Sequence, residues 1–328
     1  MFDYKLFEKP VVFFANAIGD HLIALPTMRA LSHIFNGQIS LMALPNAHSE
    51  IFVDIVFKEV WPIRFPNSNH RNWYSGVPGN SDLPFNYEEL AEQAKGCDLF
   101  LSLTSWHTPE LQKLLDKLAP SISMGFFPKF KHIVVSQHDH AFDSSFSLAH
   151  EFVPDVQLED FANPPIISTK HKKLVEELQT ELRDEHRLLI VHTDTKKRKM
   201  WNPDKFLSVV DLFLAEHSNY LAVIIGLWNY LPVEQAINKD RIFDLCGLSI
   251  DLSFGIISIG DVFLGIDSCM LHAADLFRVP GVGIFGPTDP KNWGFRFSHH
   301  EHVYTNQLDL LSEKCVLNKL SKLVPLVI

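Results

Sequence analysis

The sequence predicts an α/β protein made of two doubly wound parallel sheets. Three observations predict it. Short apolar runs alternate with helical patterns along the chain. The runs are apolar at every position, as strands covered on both faces are. The alternation lapses over residues 137–169, which carry Pro154, Pro164 and Pro165, and then restarts, so two such domains follow one another. A chain of 328 residues is long for one core and comfortable for two.

In the first half, strands are expected at VVFFA (11–15), ISLMAL (39–44), DLFLSL (98–103), ISMGF (122–126) and HIVVS (132–136). Helices are expected after Asp20, over 86–95 ahead of Gly96, and over 108–119. Thr108 and Pro109 supply the last with a cap and a rigid first turn. Pro26 is awkward inside a helix, so that helix either starts late or is kinked there. Residues 62–84 are rich in Pro, Asn, Ser and Gly and read as an irregular loop, of a length that is often functional or mobile.

The second half begins with a helix over 171–184 and a strand RLLIVHT (187–193). A helix over 203–216 opens on Asn202 and Pro203, and YLAVIIG (220–226) follows. Next come a short helix near 232–238, RIFDL (241–245), a helix near 250–258, DVFLGI (261–266), a helix over 269–277 and GVGIF (281–285). No repeat of 20–50 residues is present.

Apolar residues make up 46% and phenylalanine occurs 26 times, with mean hydropathy +0.04. These values suit a globular chain with bulky cores. The net charge of −10 disfavours nucleic acid and stable docking on an anionic membrane. The N-terminal MFDYKLFEKP lacks the pattern of a signal peptide, and YLAVIIGLW (220–228) is too short to span a bilayer. Four scattered cysteines (97, 246, 269, 315) without C-x-x-C fit reduced thiols of the cytoplasm.

Ligands of open parallel sheets bind at the carboxyl ends of strands. Asp20 and Asp267 both lie there. A carboxylate at Asp20 either caps the helix or faces a ligand. HTDTKKRKMWNP (192–203) places Thr193, Thr195 and a cationic run in one strand-to-helix loop: a phosphate cradle, or a solvated basic loop. IDSCMLHAADLF (266–277) starts a helix at a strand end, where free N–H groups favour an anion. Ser268 adds a hydroxyl and His272 lies one turn on, unless the helix is simply capped and His272 faces the core. FGPTDPKNW (285–293) is a rigid turn that would wall a pocket. Neither G-x-G-x-x-G after the first strand nor a Walker motif is present, and no D-x-D occurs. HDH (138–140) and HHEH (299–302) offer metal-ligating side chains but sit in polar stretches and read as solvated loops.

Together AIGDHLIALPTMRAL, HTDTKKRKMW, DSCMLH and FGPTDP resemble, in order and at matching spacings, the motifs of glycosyltransferase family 9, typified by ADP-heptose:lipopolysaccharide heptosyltransferases. Cys269 stands where the family has glycine. The resemblance implies a GT-B fold, with two Rossmann-like doubly wound parallel-sheet domains facing a central cleft. It implies an acceptor-binding domain over 1–165 and a nucleotide-sugar-binding domain over 166–328, the last helix being available to pack back on the first. It implies inverting, metal-independent transfer, with no cofactor beyond the nucleotide-sugar co-substrate, ADP-heptose as first choice. Asp20 would be the general base. Thr193, Thr195 and Lys199 would hold the diphosphate, Lys199 also serving catalysis. Asp267, Ser268, Cys269 and His272 would shape the phosphate and sugar pocket. The acceptor would be a glycan, a lipid-linked glycan, a protein or a small molecule. Peripheral membrane association would be weak at most. A non-catalytic binding protein or a sugar-nucleotide epimerase of the same fold remains the alternative.

Overall fold

The computed structural model describes residues 1–45, 50–64, 86–104, 107–183 and 186–324. The chain divides into two compact units, Met1–Asn163 and Pro164–Ile328. Most of the expected loop at 62–84 lies outside the described residues.

The first unit carries six parallel strands: β1 (Pro10–Phe14), β2 (Ser40–Ala43), β3 (Val60–Pro62), β4 (Leu99–Ser102), β5 (Ile122–Gly125) and β6 (His132–Ile133). Their spatial order is β3-β2-β1-β4-β5-β6. β1 is buried along its whole length, because helices cover both faces. Val11 and Phe13 join a core with Leu90 of α2 (Tyr87–Gln93) and Leu111, Leu114 and Leu115 of α3 (Pro109–Leu118). Phe14 points the other way and meets His21 of α1 (Ile18–Ile34) edge-on, with ring centroids 4.9 Å apart. The Thr108 hydroxyl caps α3 by accepting from the Leu111 N–H at 3.2 Å.

α1 begins well before Pro26 and continues beyond it, so one backbone bond is missing within the helix. α1 packs on α4 (Ala141–His150) and α5 (Leu158–Phe161), and the Thr27 and Ser145 hydroxyls bond at 3.0 Å. These two helices fall in the stretch 137–169, which the periodicity had left without elements. Arg29 ties α1 to Asp54 at 2.9 Å and to the Phe161 and Asn163 carbonyls at 3.2 and 2.5 Å.

The second unit has the strands β7 (Arg187–His192), β8 (Tyr220–Ile225), β9 (Ile242–Asp244), β10 (Val262–Ile266), β11 (Gly281–Phe285) and β12 (His300–Tyr304). They are parallel, in the order β12-β11-β10-β7-β8-β9. Numbered within the unit, this is the strand order of the first unit, so the topology repeats where the sequence does not. One face carries α7 (Pro203–Glu216) and α11 (Glu313–Leu323), which pack on each other. α6 (Thr169–Arg183), α8 (Ile250–Ser258) and α9 (Cys269–Leu276) pack in succession. The last helix, α11, packs on α7, β11 and β12 of its own unit.

Two further readings change. HHEH is not a solvated loop: His300 to His302 belong to the edge strand β12. The helix near 232–238 is only a 3-10 turn, Val233–Gln235. Among the described residues no group of three or more His, Cys, Asp or Glu side chains stands together as a metal-ligand set, and no helix is long and apolar enough to cross a membrane.

Candidate active site

In each unit the strand order reverses direction at one place, between β1 and β4 and between β7 and β10. The connections leaving these strands diverge to opposite faces and open a crevice beyond their carboxyl ends. The candidate residues sit at these two points.

In the second unit, β7 ends at His192. Its Nδ1–H donates to the Ile225 carbonyl at 2.9 Å, and burial pushes its pKa down, so the ring is neutral. Nε2 is then an acceptor, buried and without a partner among the described residues. Gly226 lets this strand end approach β8: a Cβ there would stand 3.2 Å from the His192 ring and from Asp194 Cβ, at a φ of +143° that few other residues adopt. Asp194 accepts from the Leu227 N–H at 3.1 Å. Thr193 is buried, and its hydroxyl has no partner among the described residues. Thr195 donates to the Asp267 carbonyl at 3.1 Å. The cationic run then coils into a 3-10 turn, Lys197–Lys199. Trp201, buried against Phe206 with rings 5.7 Å apart, anchors the far end of the loop.

β10 delivers Asp267, which is 4% exposed. Its carboxylate Oδ2 pairs with Lys199 Nζ and accepts the Thr288 hydroxyl at 2.5 Å. Thr195, Lys199 and Asp267 therefore meet. Thr288 meets them too, though FGPTDP had suggested only a wall.

Ser268 is the N-cap of α9, but its hydroxyl makes no cap bond and has no partner among the described residues. The first N–H groups of α9 thus lack a side-chain cap beside a lysine, the arrangement that favours an anion. Cys269 opens α9. Among the described residues the non-glycine ones with positive φ are Asn36, Ala119 and Arg278, so a side chain at 269 strains no backbone. Burial, helped by the charge of Asp194, pushes the Cys269 thiol up to about 12. A neutral thiol does not repel a diphosphate. His272 is buried one turn on.

In the first unit, Asp20 is half-buried at the third position of α1. Its Oδ2 accepts from the Ala17 N–H at 3.2 Å, so it does cap the helix. His21 donates from Nδ1 to the Ala17 carbonyl at 2.8 Å and packs against Phe14 and Phe52. At the end of β4, the buried Ser102 hydroxyl bonds that of Thr104 just beyond it at 2.7 Å.

The family model of glycosyltransferase family 9 (heptosyltransferase) matches residues 121–321. The chain belongs to glycosyltransferase family 9. The matched span contains Thr195, Lys199, Asp267 and Thr288 but not Asp20. No curated protein matches this glycosyltransferase by sequence. Among solved structures it is similar to a family 9 glycosyl transferase from Veillonella parvula, with TM-score 0.74, 18% identity and coverage of 98% of this chain and 97% of the other. It is similar to E. coli ADP-heptose lps heptosyltransferase II, with TM-score 0.67, 15% identity and coverage of 96% and 98%. It is also similar to E. coli heptosyltransferase WaaC with ADP, with TM-score 0.64, 16% identity and coverage of 96% and 100%. At these identities the likeness is one of fold, and the fold is GT-B.

One acid-sensitivity of the glycosyltransferase follows from His21. Burial pushes its pKa from 6.5 down to about 4. The native state holds the ring neutral, while the unfolded chain binds a proton below pH 6.5. Stability from this residue is intact above pH 6.5 and falls as pH drops to about 4, by up to about 3 kcal/mol. His21→Asn, whose amide nitrogen stands where the ring Nδ1 does and can donate to Ala17, is expected to flatten that fall. Urea unfolding of both proteins at pH 7 and pH 5 measures it; an equal pH dependence in both removes His21 as the cause.

Proposed function

We propose that this glycosyltransferase moves a sugar, heptose as first choice, from an ADP-linked donor to an acceptor hydroxyl, inverting the anomeric centre without a metal ion. The observation that carries this reading is the meeting of Lys199 with Asp267 and Thr195 beside the uncapped start of α9. A sugar–diphosphate bond breaks with negative charge growing on the departing phosphate. An ammonium, hydroxyls and helix N–H groups supply the compensation, of the kind worth about 10²–10³ in rate per donor group.

In this mechanism the acceptor oxygen attacks the anomeric carbon from the face opposite the diphosphate. The bond to the β-phosphate oxygen breaks, its electron pair stays with ADP, and the acceptor proton passes to Asp20. A single displacement of this kind inverts the centre. Lys199 and Thr195 face the phosphates, with Thr193 and Ser268 bringing hydroxyls that no protein group uses among the described residues. Cys269 and His272 border the sugar. ADP as the nucleotide is supported by the ligand named for E. coli WaaC, and heptose by family membership. The acceptor is a surface glycan, a lipid-linked glycan, a protein or a small metabolite, and the reaction belongs to the cytoplasm with at most weak peripheral membrane contact.

Thermal shift against a panel of nucleotides and nucleotide sugars tests the donor. A ligand at a hundred times its Kd stabilises the native state by about 2.7 kcal/mol, so ADP and ADP-heptose are expected to raise Tm most. ADP release from ADP-heptose, with the product weighed by mass spectrometry, tests the reaction. Transfer adds a sugar to the acceptor. An isomerised donor indicates an epimerase, and ADP binding without consumption across varied acceptors indicates a binding protein.

A further inference from the structure

The loop after β11 runs Gly286-Pro287-Thr288-Asp289-Pro290. Prolines fix φ on both sides of Thr288, and Asp289 caps the helical turn α10 (Pro290–Trp293) through the Lys291 N–H at 2.9 Å. Thr288 is therefore held on a stiff turn. Its hydroxyl donates to Asp267 Oδ2, the same oxygen that receives the Lys199 ammonium. The Asp267 backbone is held as well: its N–H donates to the Ile284 carbonyl at 3.2 Å, and its own carbonyl accepts from Thr195.

We propose that Thr288 is a positioning residue that sets Lys199, through Asp267, for the donor diphosphate; this rests on the donor-site reading above. An ammonium has three donors and no acceptor. A buried carboxylate facing lysine alone is free to turn about its own bond and draw the ammonium with it. A second donor on the same oxygen fixes where that oxygen sits and takes up part of its accepting capacity. Lys199 is then held at one point by one N–H, with the others available to phosphate oxygens. Thr288 itself need not touch the substrate.

Titration calorimetry with ADP on the full chain tests this. Thr288→Val is expected to raise the Kd for ADP about tenfold, the size of a lost hydrogen bond to a charged group. Thr288→Ser, which keeps the hydroxyl, is expected to stay within about twofold. In a Lys199→Met background, Thr288→Val is expected to add less than about twofold, since no ammonium is left to aim. A purely structural threonine would weaken binding equally in both backgrounds. Thr288→Ala, read the same way, serves if the valine variant does not fold, and Tm of each variant reports folding. Wild-type affinity in Thr288→Val, or equal losses in both backgrounds, overturns the role of Thr288 alone. Failure of the wild-type chain to bind ADP, or unchanged binding by Lys199→Met, overturns the donor-site reading and the role of Thr288 with it.

Discussion

Asp20→Asn is expected to lower sugar transfer by about 10²–10⁴-fold, the usual worth of a positioned general base, with ADP affinity and folding near wild type. The choice of asparagine matters because the proposed base would be Asp20's second duty. Its Oδ2 accepts from the Ala17 N–H at 3.2 Å and so caps α1. An amide oxygen accepts the same bond, so the helix start survives, and only the favourable meeting of a negative charge with the helix N-terminus is lost, about 0.3–1 kcal/mol. What asparagine cannot do is take a proton. The acidic limb of the kcat profile that reports the base should vanish in the variant. Asp20→Ala removes both duties, and its extra loss of stability, about 1 kcal/mol, measures the cap. Initial rates of transfer, calorimetry with ADP and urea unfolding separate these quantities. An asparagine variant that transfers at the wild-type rate leaves Asp20 as a cap and nothing more.

Lys199→Met is expected to lower kcat by about 10²–10³-fold and to weaken ADP binding. It also removes the cation facing a carboxylate whose side chain is 5% exposed. Leaving one member of a buried pair uncompensated costs about 3–5 kcal/mol. Lys199 is itself 17% exposed and Thr288 still donates to Asp267, so the lower end of that range is expected. A low activity could then reflect unfolding. The double variant Lys199→Met/Asp267→Asn separates the two effects. With no buried charge left, its stability should return towards wild type while transfer stays low. Return of transfer together with stability would take Lys199 out of the chemistry.

Strands with both faces buried declare themselves as unbroken apolar runs, which is why β1, β7, β8, β10 and β11 were readable one after another. β12 was not. Its HEHVY looks like a polar loop because an edge strand has less to bury. Its histidines find company only in the folded chain: His300 and His302 lie 4.5 Å apart, each within 6 Å of the Phe295 ring at 5.6 and 5.9 Å. Glu301, between them, bonds Lys319 of α11 at 2.6 Å. α4 escaped notice for a related reason. AFDSSFSLAH has too many serines to advertise a helix, and packing of Phe142 and Phe146, both fully buried, against the rest of the first unit makes up for weak propensity. The candidate site residues are local features of the sequence. Asp20, Lys199 and Asp267 stand in compact motifs next to strand ends, where a few neighbouring residues give both the side chain and its position. Thr288 stands in such a motif too, but its partner is 21 residues away.

By itself the sequence determined the fully buried strands and most of the helices, that there are two sheets, and which side chains stand at the ends of those strands, because periodicity, caps and proline act over a few residues. The order of strands within each sheet was decided only by the tertiary structure. Laying β10 between β7 and β11 is what brings Thr195, Lys199 and Thr288 onto Asp267. That choice depends on how whole helices and strands cover one another's apolar faces, a long-range balance that no short stretch of residues records.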